Sequence, residues 1–115
     1  ISLAEFLLKT KVALQPNGIR FADGGQPEQK VAVGGGACGE FFAQAKTMGC
    51  DTFVTADVKY DVFLEAKALG INLLDAGHFA TEDVVTQPLA DKLQAAFAQV
   101  SVVKSQAHKE VVASI

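Results

Sequence analysis

Residues 51–78 read DTFVTADVKYDVFLEAKALGINLLDAGH, and this stretch decides the fold. Asp51-Thr52-Phe53-Val54-Thr55 is a short apolar and β-branched run, which predicts a strand. Residues 58–69 place Val62, Phe63, Ala66 and Leu69 on one helical face, and Gly70 follows where a helix C-cap belongs. Ile71-Asn72-Leu73-Leu74 is a second short apolar run. Strand, helix and strand in so short a span form a βαβ unit, whose strands are parallel. The runs lack polar alternation, as expected of strands covered on both faces.

The pattern extends in both directions. Upstream, Lys30-Val31-Ala32-Val33 predicts another strand, running into Gly34-Gly35-Gly36. Residues 40–48 then predict a helix with Phe41, Phe42, Ala45 and Met48 facing inward. At the start, Ser2-Leu3-Ala4-Glu5 is a capping box opening a helix with Leu3, Phe6, Leu7 and Leu14 on one face. Pro16-Asn17-Gly18 supplies turn chemistry after it. Residues 19–22 suggest a short strand and residues 23–30 a polar loop. Downstream, a helix carries Leu89, Leu93, Ala96 and Phe97, its regular part starting near Pro88. Residues 100–103 predict a further strand, and Val111-Val112-Ala113 a possible edge strand. The expected architecture is one α/β domain over residues 1–115, with a mainly parallel sheet flanked by helices.

Half of the residues are hydrophobic, enough for a sizeable core. The net charge of −3 is spread without a basic patch, which argues against a nucleic-acid partner. No apolar run is long enough to span a bilayer, and no signal peptide is visible. Cys38 and Cys50 lack a CxxC spacing, and reduced thiols in a cytoplasmic protein are the expectation. The sequence opens on Ile1 and its single Met is Met48, which suggests a processed start or a piece of a longer protein.

In open α/β sheets, ligands bind outside the carboxyl ends of the strands. Three successive predicted strands end in Gly34-Gly35-Gly36, Thr55-Ala56-Asp57 and Asp75-Ala76-Gly77-His78, so a parallel sheet crowds all three on one edge. His78 and Glu82 are four apart, and a helical turn after the strand puts them on one face. An imidazole and a carboxylate so placed suit Zn, Mn, Fe or Ni. The alternative is a histidine that hydrogen-bonds a loop beside a solvated first-turn acid. Asp57 is either a helix N-cap or a carboxylate that orients a ligand, a water or His78. Asp75 is either a turn residue or a hydrogen-bond partner of the histidine. The three glycines could cradle an anion, but they lack both the GxGxxG and the P-loop pattern; a tight turn, or close approach of another segment, explains them equally well. Cys38 stands at a helix start without a nearby base and reads as a small packing residue.

The segment Asp75-Ala76-Gly77-His78-Phe79-Ala80-Thr81-Glu82 closely resembles the C-terminal signature of the Nif-three-like proteins, often labelled GTP cyclohydrolase type 2 homologues. Thr55-Ala56-Asp57-Val58-Lys59-Tyr60 and Val33-Gly34-Gly35-Gly36 resemble two further motifs of that family, in the same order. The resemblance implies a dinuclear metal protein in which His78 and Glu82 are metal ligands, with two divalent ions per complete site. It also implies that the other ligands, a His-His pair and an Asp, lie in an N-terminal half; no adjacent His-His pair occurs here. The chain then corresponds to the C-terminal domain of a two-domain, ring-forming homo-oligomer. One departure is Asp61, at a position where the family usually has His, which puts a proton shuttle there in doubt.

The expected function is a metal-dependent, hydrolase-like protein seen as one domain. The alternative is a regulatory or scaffold protein whose metal is structural or absent. On its own, the piece is expected to be a folding unit without activity, because two protein ligands leave a metal largely hydrated.

Overall fold

A computed structural model describes residues 1–115. Its elements run α1 (Leu3–Leu14), β1 (Arg20–Ala22), β2 (Val31–Val33), a 3₁₀ turn (Gly39–Phe41), α2 (Phe42–Thr47), β3 (Thr52–Thr55), α3 (Tyr60–Leu69), β4 (Asn72–Asp75), α4 (His78–Asp83) and α5 (Thr86–Ala96). The capping box forms: Ser2 Oγ accepts the Glu5 N–H at 3.3 Å, and the Glu5 carboxylate accepts the Ser2 N–H at 2.9 Å. Gln15, left-handed at φ 50°, closes α1 by donating its N–H to the Lys11 carbonyl.

The sheet order is β1-β4-β3-β2. β2 and β4 flank β3 in parallel, and β1 is antiparallel to β4, pairing Arg20 with Asp75. The period-two alternation of a strand divides the central residues between two layers. Phe53 and Leu73 join Phe42, Ala45, Val58, Ala66 and Ile71 beneath α2 and α3. Val54, Leu74 and Ala76 pack under Leu3, Phe6, Leu7 and Leu14 of α1. Both central strands are buried on both faces, so their side chains read as apolar runs rather than alternating ones.

Two expectations are corrected, one on strands and one on burial. Residues 100–103 and 111–113 form no strand; the sheet's edges are β1 and β2, and neither reaches them. Instead the amide of Gln94 donates to the Val100 carbonyl at 2.8 Å while its oxygen accepts the Val102 N–H at 3.0 Å. Phe41 and Met48 are exposed, because the segment opens as a 3₁₀ turn and its α-helical part is only Phe42–Thr47. Leu69 is exposed at the last turn before Gly70. The helix α5 buries none of its residues; Leu89 and Leu93, and Phe97 just beyond its end, are exposed. No helix is long and apolar enough to cross a membrane.

Candidate functional site

The parallel ladder continues past the strand ends and sets the three connecting loops side by side. Gly34 donates its N–H to the Val54 carbonyl, Ala56 to Gly36, and Ala76 to Thr55, each at 2.9 Å. The loop after β3 carries Asp57, the turn after β4 carries His78, and the loop after β2 lies against Glu82.

His78 is the first residue of α4, entered through Gly77 at φ 87°. Asp57 is left-handed at φ 53°, a conformation that Asp tolerates better than most residues. It is not the N-cap of α3, which is Lys59. Its Oδ2 lies 2.5 Å from His78 Nδ1. An ionised carboxylate only accepts, so Nδ1 is the protonated ring nitrogen and Nε2 points away from Asp57. One helical turn on, Glu82 Oε2 lies 3.1 Å from Nε2. The three side chains are about half exposed, at 57% for Asp57, 48% for His78 and 56% for Glu82. The Asp57 hydrogen bond, against a smaller opposing effect of burial and with help from the Glu82 charge, raises the His78 pKa above its ordinary 6.5.

Asp75 is placed differently from His78's partner Asp57. It is buried at the end of β4 and holds backbone: Oδ2 accepts the Val58 N–H and Oδ1 the Gly77 N–H, both at 3.1 Å, and Arg20 forms an ion pair with Oδ2. Arg20 also donates to the Val58 carbonyl at 3.1 Å and lies over the Phe63 ring.

Gly34-Gly35-Gly36 is a point of close approach. A Cβ on Gly35 would lie 2.8 Å from the Thr81 carbonyl oxygen; one on Gly36, at φ 71°, would lie 2.3 Å from Glu82 Oε1 and 3.2 Å from His78 Nε2. The Gly36 N–H donates to Thr81 Oγ1 at 2.9 Å, so this amide and that of Gly34 are engaged within the chain. Cys38 is half-buried against the main core cluster, with its Sγ 3.4 Å from the Gly35 carbonyl. Asp61 is exposed in the first turn of α3.

Arg20 and Thr81 escaped sequence reading. Arg20 pairs across 55 residues, a contact no local pattern encodes. Thr81 was legible only as part of the Thr-Glu motif, without its role of accepting a glycine amide.

The donor chemistry fits a metal ion in part. Two metal–ligand bonds of about 2.1 Å at ordinary angles set their donor atoms about 3.0–3.5 Å apart, and Nε2 and Oε2 stand at 3.1 Å. No group of three or more His, Cys, Asp or Glu residues in this chain is arranged to hold a metal ion, so further ligands would come from outside these residues.

Fold and site together define an α/β domain with Asp57, His78 and Glu82 gathered at the tips of parallel strands. The chain belongs to the Duf34/NIF3 (NGG1p interacting factor 3) family, whose profile matches residues 1–111. It is 37% identical over 94 residues to the GTP cyclohydrolase 1 type 2 homolog of Bacillus subtilis, covering 81% of this chain and 25% of that protein. Among solved structures it is similar to a Bacillus cereus protein related to NIF3 (31% identity, TM-score 0.79, 100% of this chain and 33% of that one). It is also similar to Staphylococcus aureus protein SA1388 (28% identity, TM-score 0.80, 96% of this chain and 39% of that one). The chain therefore spans between a quarter and two-fifths of the length of these relatives.

Proposed function

We propose that this domain supplies His78 Nε2 and Glu82 Oε2 to a divalent metal centre of a hydrolase-like protein, with Asp57 fixing the imidazole. One observation carries the reading. With Nδ1 protonated toward Asp57, a neutral His78 presents a lone pair on Nε2 to a carboxylate oxygen 3.1 Å away. Two acceptors at that distance require a cation between them, either a proton or a metal ion. The Glu82 charge adds to the rise of the His78 pKa, whose largest cause is the Asp57 hydrogen bond.

The Asp57–His78 pairing matches the carboxylate–histidine arrangement that orients metal-binding imidazoles. A divalent ion held there supplies Lewis acidity and activates water for hydrolysis. This chain's residues hold the imidazole in one tautomer, present the carboxylate on the same helical face, and keep both at the sheet edge. The remaining ligands, up to a second metal, are assigned to a further domain of a longer, oligomeric, cytoplasmic protein, in keeping with the greater length of the relatives. The metal is one of Zn, Mn, Fe or Ni.

The test is metal stoichiometry after Zn or Mn titration of the family-length protein, compared with His78→Ala and Glu82→Ala. Each variant is expected to lose metal; unchanged content in both ends the reading.

A second reading, a regulatory or scaffold protein, draws on the family's description as an interacting factor and on the exposed apolar residues of α5. Metal-stimulated hydrolysis in a broad substrate screen separates the two, since a scaffold shows none.

A further inference from the structure

We infer that Asp75, braced by Arg20, is the positioning residue that sets the Asp57–His78 contact. Asp57 lies in the loop after β3 and His78 at the start of α4, 21 residues apart, and neither hydrogen-bonds to Asp75. Each sits next to a backbone group that Asp75 holds. Val58 directly follows Asp57, and its N–H goes to Asp75 Oδ2 at 3.1 Å. Gly77 directly precedes His78, and its N–H goes to Asp75 Oδ1 at 3.1 Å. One rigid carboxylate thus ties both loops to the end of β4, and its two oxygens fix their separation.

Arg20 completes the clamp. Its Nη2 pairs with the same Oδ2 and also donates to the Val58 carbonyl, so the Arg20–Asp75 pair grips both polar groups of one residue. That grip is placed where the backbone needs it. Asp57 is one of two non-glycine residues with positive φ, and Gly77 is also left-handed, at φ 87°. Left-handed turns are costly for side-chain-bearing residues and persist where neighbouring contacts enforce them. Asp75 is buried, and a buried carboxylate without a cationic partner is expensive, which gives Arg20 a second reason to be there. The contact of Asp57 with His78 does not depend on metal; only its use in binding rests on the function proposed above.

The chain has two histidines and no tryptophan, so the imidazole N–H region of a proton NMR spectrum is nearly empty. The 115-residue chain is expected to show a downfield, exchange-protected Nδ1–H from His78, assigned by its loss in Asp57→Ala. In Asp75→Asn, an amide cannot accept at both positions, so one loop is released and the resonance is lost or exchanges at least tenfold faster, with the amide dispersion of β3 and β4 intact. In Arg20→Gln, a change at the exposed edge strand β1, exchange is at least threefold faster. A resonance unchanged in a folded Asp75→Asn overturns the inference. Should that variant not fold, an unchanged rate in Arg20→Gln overturns it instead. Failure of metal binding with these NMR results intact would count against the metal reading alone.

Discussion

Gly36 and Glu82 are packed so closely that a single carbon added to the glycine would stand 2.3 Å from the carboxylate oxygen Oε1. The loop after β2 is therefore shaped to the face of α4 that carries His78 and Glu82, and glycine is required there both for its φ of 71° and for space.

Substitutions in this loop are expected to separate stability from binding. In Gly36→Ala the clash meets the end of a half-exposed side chain, which swings away. The backbone strain costs about 1–2 kcal/mol, and metal affinity falls at least tenfold because Glu82 leaves Nε2. In Gly35→Ala the obstacle is the Thr81 carbonyl, 2.8 Å from the new Cβ, and backbone cannot swing. The expected cost is about 1–3 kcal/mol. Urea unfolding and metal titration of the two variants check the contrast.

Asp57→Asn is expected to bring the His78 pKa down toward its ordinary value, since the Asp57 hydrogen bond is the largest cause of its elevation. The sign of the stability effect follows. A pKa raised in the folded state stabilises fully below the unfolded pKa of about 6.5 and ceases to do so as pH rises through the folded value. The stability lost in metal-free Asp57→Asn is thus largest near pH 6 and fades in mildly alkaline solution. Unfolding curves at the two pH values, with imidazole NMR titration, measure both effects.

How much of this was legible in the sequence depended on range. The stretch from Thr52 to Asp75 yielded two parallel strands and their helix because local periodicity and burial agree there. The His78–Glu82 pairing was legible too, because a spacing of four fixes a shared helical face. The Asp57–His78 contact was one of two open readings, since Asp before a helix also caps. What was not legible depended on distant neighbours. The β-prone residues 100–103 do not reach either edge strand of the sheet, and the apolar spacing of Leu89, Leu93 and Phe97 states which face of α5 is apolar without stating what covers it.

That distinction gives a prediction of its own. Leu73 is fully buried whereas Leu93 is 41% exposed. Leu73→Ala is expected to cost about 2–5 kcal/mol, and Leu93→Ala in the isolated chain well under about 1.5 kcal/mol. Equal losses would mean that α5 packs onto the body in solution.

Asp51 anchors the entry to β2 by accepting the N–H groups of Gln29 at 2.9 Å and Lys30 at 2.7 Å. Burial works to raise its pKa, but the Lys30 amide, the Thr52 hydroxyl and the Gln29 amide together hold it below the usual 3.8. Its stabilising effect is present above the unfolded pKa and is lost as pH falls through the lower folded value. Asp51→Asn is expected to cost about 1–2 kcal/mol near neutrality, with the difference from wild type shrinking at the acid end of a pH–stability series.

The most direct test of the proposed centre is anomalous X-ray diffraction. Crystals of the chain grown at about pH 8, where metal competes better with the proton on Nε2, would be soaked in millimolar Mn²⁺ or Zn²⁺. The expected result is an anomalous peak about 2.0–2.3 Å from both His78 Nε2 and Glu82 Oε2. A peak only elsewhere, or His78 and Glu82 still in direct contact under saturating metal, would contradict the assignment of these two residues as ligands.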